Sequence, residues 1–176
     1  MTDVETYYLN PERINVFIGK SGSMKRIFEK RLECDIEVDS STGKVNAKSD
    51  NSVNLFVLGN MIGAINMGHN PENALMLMDE TFVVDNIDVK NYEKNIDRLK
   101  IIMGRIIGKE GITRKTIEDI TKCKVSVHDH IVSVIGPYEN TMLVHEALDM
   151  LIKGAAHKSL YSFLERNKEN INKGLL

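Results

Sequence analysis

Two short segments hold the residue types in this chain that could do chemistry. Phe17-Ile18-Gly19-Lys20-Ser21-Gly22 and Ile106-Ile107-Gly108-Lys109-Glu110-Gly111 share two apolar residues followed by G-K-x-G. Two glycines spaced in this way let a backbone approach an anion with no side chain intervening. If a helix starts there, its free amides and the positive end of its dipole face the same point. The chemistry is phosphate binding, and the ligand it suits is a sugar-phosphate backbone. Cations surround both segments. Lys25 and Arg26 follow the first, Arg105 precedes the second, and Arg114 and Lys115 follow it. One GxxG is usually only a turn, and the weight here comes from its recurrence with the same flanks.

The recurrence extends well past the glycines. Gly108 follows Gly19 by 89 residues, and at that spacing Lys25 and Arg26 fall on Arg114 and Lys115, Phe28 on Ile117, Glu29 on Glu118, Cys34 on Cys123, Ile36 on Val125 and Val38 on Val127. Six of the twenty positions from Gly19 to Val38 are identical and four more are conservative. The chain therefore reads as two copies of one module.

The elements that position the two segments follow from periodicity. In each copy an apolar turn leads into GxxG, and a helix follows at Ser23 to Arg31 or Thr113 to Thr121. Next comes an alternating strand, with Ile36 and Val38 between Asp35, Glu37 and Asp39, or Val125 and Val127 between Lys124, Ser126 and His128. A period of two with one polar face predicts a sheet buried on one side. Ser41-Thr42-Gly43 and His128-Asp129-His130 are turns into further strands, through Val45 and Ala47 and through Ile131 to Ile135. A helix closes each copy, Val53 to Met67 before Gly68 and Tyr138 to Lys153 before Gly154. Strands at Thr6 to Leu9 and Phe82 to Val89 open the copies, followed by helices begun at Pro11 and running from Tyr92 to Ile107. The predicted order is β-α-α-β-β-α, twice, an α+β chain. Residues 1–68 form the first module, 69–81 a connector with a helix over Pro71 to Asp79, and 82–154 the second module. Residues 155–176 form a C-terminal helix, over His157 to Asn172, and a tail.

Composition sets the limits. With 176 residues, 42% hydrophobic and 27% charged, the chain can fill two small cores and is not a low-complexity sequence. No apolar run reaches the roughly 20 residues of a membrane span. The N-terminus lacks a basic-then-apolar leader, so a cytoplasmic, membrane-free protein is expected. The net charge of -2 hides two basic blocks: six bases against one acid from Arg13 to Arg31, and ten against five from Lys90 to Lys124. Such blocks are solvated helix faces or an anion-binding surface. Cys34 and Cys123 hold equivalent places and read as small buried side chains rather than redox groups. His128 and His130 make an isolated HxH with no third ligand evident. There is no nucleophile–base pair, paired-carboxylate site or Walker loop, so neither catalysis nor a cofactor or metal is expected.

The I-G-K-x-G element with these flanks resembles the K-homology (KH) RNA-binding domain in its type I, β-α-α-β-β-α form. The stretches Gly104-Arg105-Ile106-Ile107-Gly108-Lys109-Glu110-Gly111-Ile112-Thr113-Arg114 and Lys158-Ser159-Leu160-Tyr161-Ser162-Phe163-Leu164-Glu165-Arg166 resemble the archaeal "partner of Nob one", or Dim-two, family. That resemblance implies a non-catalytic RNA-binding factor of ribosome biogenesis. It would bind single-stranded pre-rRNA near the 3′ end of the small-subunit RNA and partner a Nob-one-type endonuclease; the chain is expected to be a monomer. It assigns RNA contact to Gly19, Lys20, Ser21, Gly22, Lys25 and Arg26 in the first module. In the second it assigns Arg105, Ile107, Gly108, Lys109, Glu110, Gly111, Arg114 and Lys115. Glu110 departs from the basic or small residues usual inside GxxG, because a carboxylate there repels phosphate. Two alternatives stay open: a protein-interaction scaffold with degenerate KH modules, and another tandem-KH cofactor of transcription or RNA degradation.

Overall fold

The computed structural model describes residues 2–173. Met1 and residues 174–176, which fall in the first module and the C-terminal tail of the sequence reading, lie outside the described residues. The chain divides into two units, Met1–Met78 and Asp79–Leu176.

The first unit runs β1 (Asp3–Tyr8), a 3-10 turn Pro11–Arg13 leading into α1 (Ile14–Ile18), a 3-10 turn Lys20–Gly22, α2 (Ser23–Leu32), β2 (Asp35–Val38), β3 (Lys44–Ser49) and α3 (Ser52–Asn66). The sheet is antiparallel in the order β1-β3-β2, with Glu5 opposite Ala47 and Ala47 opposite Ile36. One face packs under the helices, where Phe17, Phe28, Ile36, Val45, Ala47, Leu58 and Ile65 are buried and the Phe17 and Phe28 rings lie 5.0 Å apart. The alternation in β2 behaves as predicted: Ile36 is buried while Asp35 and Glu37 are exposed. The tight turn between β2 and β3 is held by the Asp39 carboxylate, which accepts hydrogen bonds from Ser41 Oγ (2.6 Å), Ser41 N (2.9 Å) and Thr42 Oγ1 (2.8 Å).

The predicted helix over Pro71 to Asp79 is split. α4 (Pro71–Ala74), capped by Asn70, tightens into a 3-10 turn Leu75–Met78. Asp79 then turns its carboxylate onto Thr81 N and Oγ1, ending the helical path. Ala74 and Leu77 are buried and pack toward α3.

The second unit repeats the order: β4 (Phe82–Asp88), a 3-10 turn Val89–Asn91, α5 (Ile96–Ile107), a 3-10 turn Lys109–Gly111, α6 (Ile112–Thr121), β5 (Lys124–His128), β6 (Ile131–Pro137) and α7 (Tyr138–Ile152). Its sheet order, β4-β6-β5, matches the first. α5 starts later than the predicted Tyr92. The Asn95 side chain accepts from Asp97 N and Arg98 N, and this cap fixes the helix start. Both faces of β6 are buried, Ser133 included. Polar–apolar alternation distinguishes two faces chemically and does not say whether the polar one meets water.

α8 (His157–Arg166) buries Leu160 and Leu164 fully against this core, with Phe163 partly buried beside them. The helix does not continue unbroken to Asn172. Asn167 Nδ2 donates to Phe163 O (2.9 Å), competing with the helical ladder, and α9 (Lys168–Lys173) starts anew. No helix among the described residues is long and apolar enough to cross a membrane.

Candidate nucleic-acid interface

α1 and α5 each end on the first glycine of GxxG, and the two turns have one backbone shape. Gly19 has φ 73°, ψ 176° and Gly108 φ 76°, ψ 169°. Ser21 and Glu110, although not glycines, are both left-handed at φ 52° and 54°. That conformation costs an L-residue about 1–2 kcal/mol, so the turn is imposed rather than preferred. Gly22 and Gly111 follow at φ 76° and 77°. Their N–H groups close the turn on Gly19 O (3.2 Å) and Gly108 O (3.1 Å).

The two glycines have different jobs. A Cβ on Gly19 would stand 2.9 Å from Met24 N, and one on Gly108 would stand 2.6 Å from Thr113 N. The first glycine therefore lets the incoming helix touch the outgoing one. A Cβ on Gly111 would meet nothing within 4 Å, so that side of the turn is open to a ligand. Behind it stands the N-terminus of α6, ten residues long, whose first amides lack intrahelical acceptors.

The cations nominated from the sequence separate into two groups. Lys20, Arg26, Lys109, Arg114 and Lys115 are exposed near their turns, together with Ser21 and Glu110. Lys25 and Arg105 have internal partners. Lys25 Nζ donates to Glu29 Oε1 (2.7 Å) and to Ile36 O (2.8 Å), joining α2 to the edge strand. Glu29 Oε1 also accepts Ile36 N (3.0 Å), and Glu118 Oε1 accepts Val125 N (2.8 Å) in the second module. This explains a glutamate shared by both copies: it fastens the helix after GxxG to the next strand. The Arg105 guanidinium reaches the C-terminus of α7, donating to Leu151 O (2.9 Å) and to Ala155 O. His157 Nε2 meets Arg105 O at 2.8 Å, docking the start of α8 onto α5.

α5 adds a feature that the sequence reading did not collect. Ile96, Leu99, Lys100, Met103, Gly104 and Ile107 recur at helical spacing and line a groove of about 490 Å³, whose other wall is Lys90, Asp129 and His130. Ile96 is 68% exposed and Ile107 38%, so the stripe is only partly absorbed by the core. A Cβ on Gly104 would meet nothing within 4 Å, leaving bare backbone in the floor. The groove ends at Ile107, next to the first glycine of the turn. An apolar floor, a rim with Lys90 and Lys100 against Asp129, and the turn's amides in line suit unstacked bases on a single strand. The signal in the sequence was the spacing of Ile96, Met103 and Ile107. Of these only Ile107 is among the RNA contacts expected from the sequence, because spacing does not say which apolar residues stay outside. α1 has five residues against twelve in α5, so the first module cannot present a stripe of that length.

Cys34 and Cys123 are buried, and burial first of all pushes both thiols up to about 11, keeping them protonated. His130 Nδ1 lies 2.8 Å from Asp129, and no three His, Cys, Asp or Glu side chains converge as a metal site among the described residues.

A family model described as the eukaryotic-type KH domain (KH domain type I), for the second such domain of PNO1, matches residues 83–169. A KH domain-containing protein of Methanocaldococcus jannaschii is 34% identical over 174 residues, covering 97% of this chain and 76% of that protein. The RNA-binding protein pno1 of Dictyostelium discoideum is 28% identical over 140 residues, 76% of this chain and 58% of its own length. The chain thus spans little more than half of that eukaryotic relative. In the crystal structure of the a/eIF2alpha–aDim2p–rRNA complex from Pyrococcus horikoshii OT3, one chain matches with TM-score 0.86 and 32% identity, over 97% of this chain and 96% of that one.

Proposed function

We propose that this chain, which belongs to the PNO1–Dim2p family of KH-domain proteins, is a non-catalytic pre-rRNA-binding factor that holds a single strand mainly in its second module. The observation that carries the reading is the continuity of the Gly108–Gly111 turn with the groove along α5. Phosphate sits on the turn, near Lys109, Arg114 and Lys115, and successive bases lie along Ile107, Gly104 and Met103. The first module offers the same turn with Lys20 and Arg26, but its first helix is short and Lys25 is engaged. It contributes a secondary backbone contact.

The rRNA in the Pyrococcus complex and the pre-rRNA processing roles named for the relatives support rRNA as the ligand class. The target we assign is the 3′ region of the small-subunit RNA, and the protein partner is a Nob-one-type endonuclease. The test is a salt-dependent titration of a single-stranded RNA copying that region, beside a duplex of equal length. The single strand should bind more tightly, and log K should fall linearly with log salt. Salt-independent binding, or preference for the duplex, overturns the reading.

A further inference from the structure

The first module has a second open surface, at the sheet edge opposite β2. β1 is an edge strand, so one row of its backbone N–H and C=O groups has no sheet partner. Between β1 and α3 runs a groove of about 400 Å³, with Glu5, Tyr7, Leu55, Phe56 and Gly59 among its walls. α3 carries no charged residue over its fifteen positions, and it turns Val53 (63% exposed) and Phe56 (69%) outward. The charged residues lining the groove are Asp3 and Glu5, both acidic.

The second module shows how the same place looks when closed. Glu5 and Asp85 hold one register, opposite Ala47–Ile36 and Val134–Val125 respectively. Gly59 and His145 are each the eighth residue of their helix. His145 Nδ1 meets Asp85 Oδ2 at 2.6 Å and bridges helix to strand. In the first module a glycine replaces that histidine and the bridge is absent. Tyr7 instead lies over Gly59, its Cε1 2.8 Å from where a Cβ would stand, and its hydroxyl donates to Leu55 O at 2.6 Å. The strand–helix gap therefore has an aromatic floor, an apolar wall and an acidic lip.

We propose that this groove binds an extended segment of a protein partner. The segment adds to the β1 edge, sets a large apolar side chain against Tyr7 and Phe56, and places lysine or arginine beside Asp3 and Glu5. Strand addition supplies affinity through backbone hydrogen bonds, and the alternation of side chains along the strand supplies selectivity. The two carboxylates select a basic segment over an acidic one.

The test uses the full chain and short synthetic peptides. One alternates lysine with valine and phenylalanine, a second has glutamate for lysine, and a third is the lysine peptide with N-methylated backbone. NMR amide shifts locate the peptide and anisotropy gives its affinity. The lysine peptide should move Val4, Glu5, Phe56 and Gly59. The glutamate and N-methylated peptides should bind about tenfold more weakly or worse. Phe56→Asp and Glu5→Lys should each weaken the lysine peptide about tenfold while RNA affinity stays unchanged. Phe56 is exposed, so its variant folds, and the Glu5 variant repeats the test from the other wall. Shifts confined to other residues, equal binding of all three peptides, or unchanged affinity in both variants overturn the proposal. So does concentration-dependent self-association mapped to these residues, which makes a second copy the occupant.

Discussion

Arg13 and Arg105 make the same pair of hydrogen bonds from different positions in the repeat. Arg13 donates from Nε to Ile65 O (2.7 Å) and from its terminal nitrogen to His69 O (2.6 Å). Arg105 donates to Leu151 O and Ala155 O. Ile65 and Leu151 each stand one residue before the end of the last helix of their module, and His69 and Ala155 each stand three beyond it. The repeat, however, puts Arg105 opposite Val16, about one helical turn from Arg13. Each module thus sets a guanidinium on the negative end of its last helix, adding a charged donor where Ile65 O and Leu151 O also accept Gly68 N and Gly154 N. It also ties that helix to the one that delivers GxxG.

Arg105 should therefore act on stability before it acts on RNA. Arg105→Gln removes two charge-assisted hydrogen bonds, leaving Leu151 O to Gly154 N, and should cost about 1–3 kcal/mol in denaturant unfolding. The salt slope of RNA binding should hardly change. Arg114→Ala should do the reverse, with little loss of stability and a slope reduced by about one. A slope that drops with Arg105 and not with Arg114 would reverse these roles.

The second clamp should dominate. Replacing Lys109 and Glu110 together by Asp removes a cation and leaves two carboxylates at the proposed phosphate position while keeping both glycines. RNA affinity should fall more than when Lys20 and Ser21 are replaced by Asp. The comparison is one anisotropy titration for each variant at a common salt concentration. Normal binding by both variants would sink the clamp itself.

Glu110 combines a repelling carboxylate with a left-handed φ of 54°. Glu110→Lys should tighten RNA a few-fold and steepen the salt slope. Glu110→Gly should tighten it less, and it should raise unfolding stability by about 1 kcal/mol as the backbone strain is relieved. Calorimetry and anisotropy on the two variants separate charge from strain.

Gly104 tests the groove independently of charge. Its Cβ position is open, so Gly104→Ala should stabilise α5 by about 0.5–1 kcal/mol. Gly104→Leu should fold as well and fill the floor, weakening single-stranded RNA about tenfold while leaving the salt slope alone. Unaltered affinity with Leu would place the bases elsewhere.

Asp39 gives the turn between β2 and β3 a pH dependence. Hydrogen bonds from the Ser41 and Thr42 side chains, then from backbone, lower its carboxyl from 3.8 to about 2. Because the folded value is depressed, the stabilisation is fully present above the ordinary carboxyl range and disappears as pH falls through about 2. Carboxyl-carbon NMR should show Asp39 titrating near that value. Ser41→Ala with Thr42→Val should return it toward 3.8, and the stability gap between variant and parent should close as pH is lowered.

The repeat, the order of elements and the glycines of the two GxxG turns were legible because they depend on local rules. Left-handed turns and close helix approaches leave glycine in the sequence, and half-buried strands leave alternation, as at Ile36 and Val38. The boundaries that were misread came from side chains acting on nearby backbone. Asn95 starts α5 late, Asn167 stops α8 early, and Asp79 ends the connector.

Sequence alone determined that two GxxG turns exist and that cations lie near them, since spacing and charge are properties of the chain. The folded structure decided which cations face outward. Lys25 and Arg105 carry the same charge as Arg26 and Arg114, yet hydrogen bonds to Ile36 O and Leu151 O hold them inside. Their partners stand 11 and 46 residues away, and an acceptor carbonyl has no letter in the sequence. The fold also treats two acid-bearing strand–helix gaps differently, bridging one with His145 on Asp85 and laying Tyr7 over Gly59 in the other. That difference depends on which side chains cross from helix to strand, and only packing sets it.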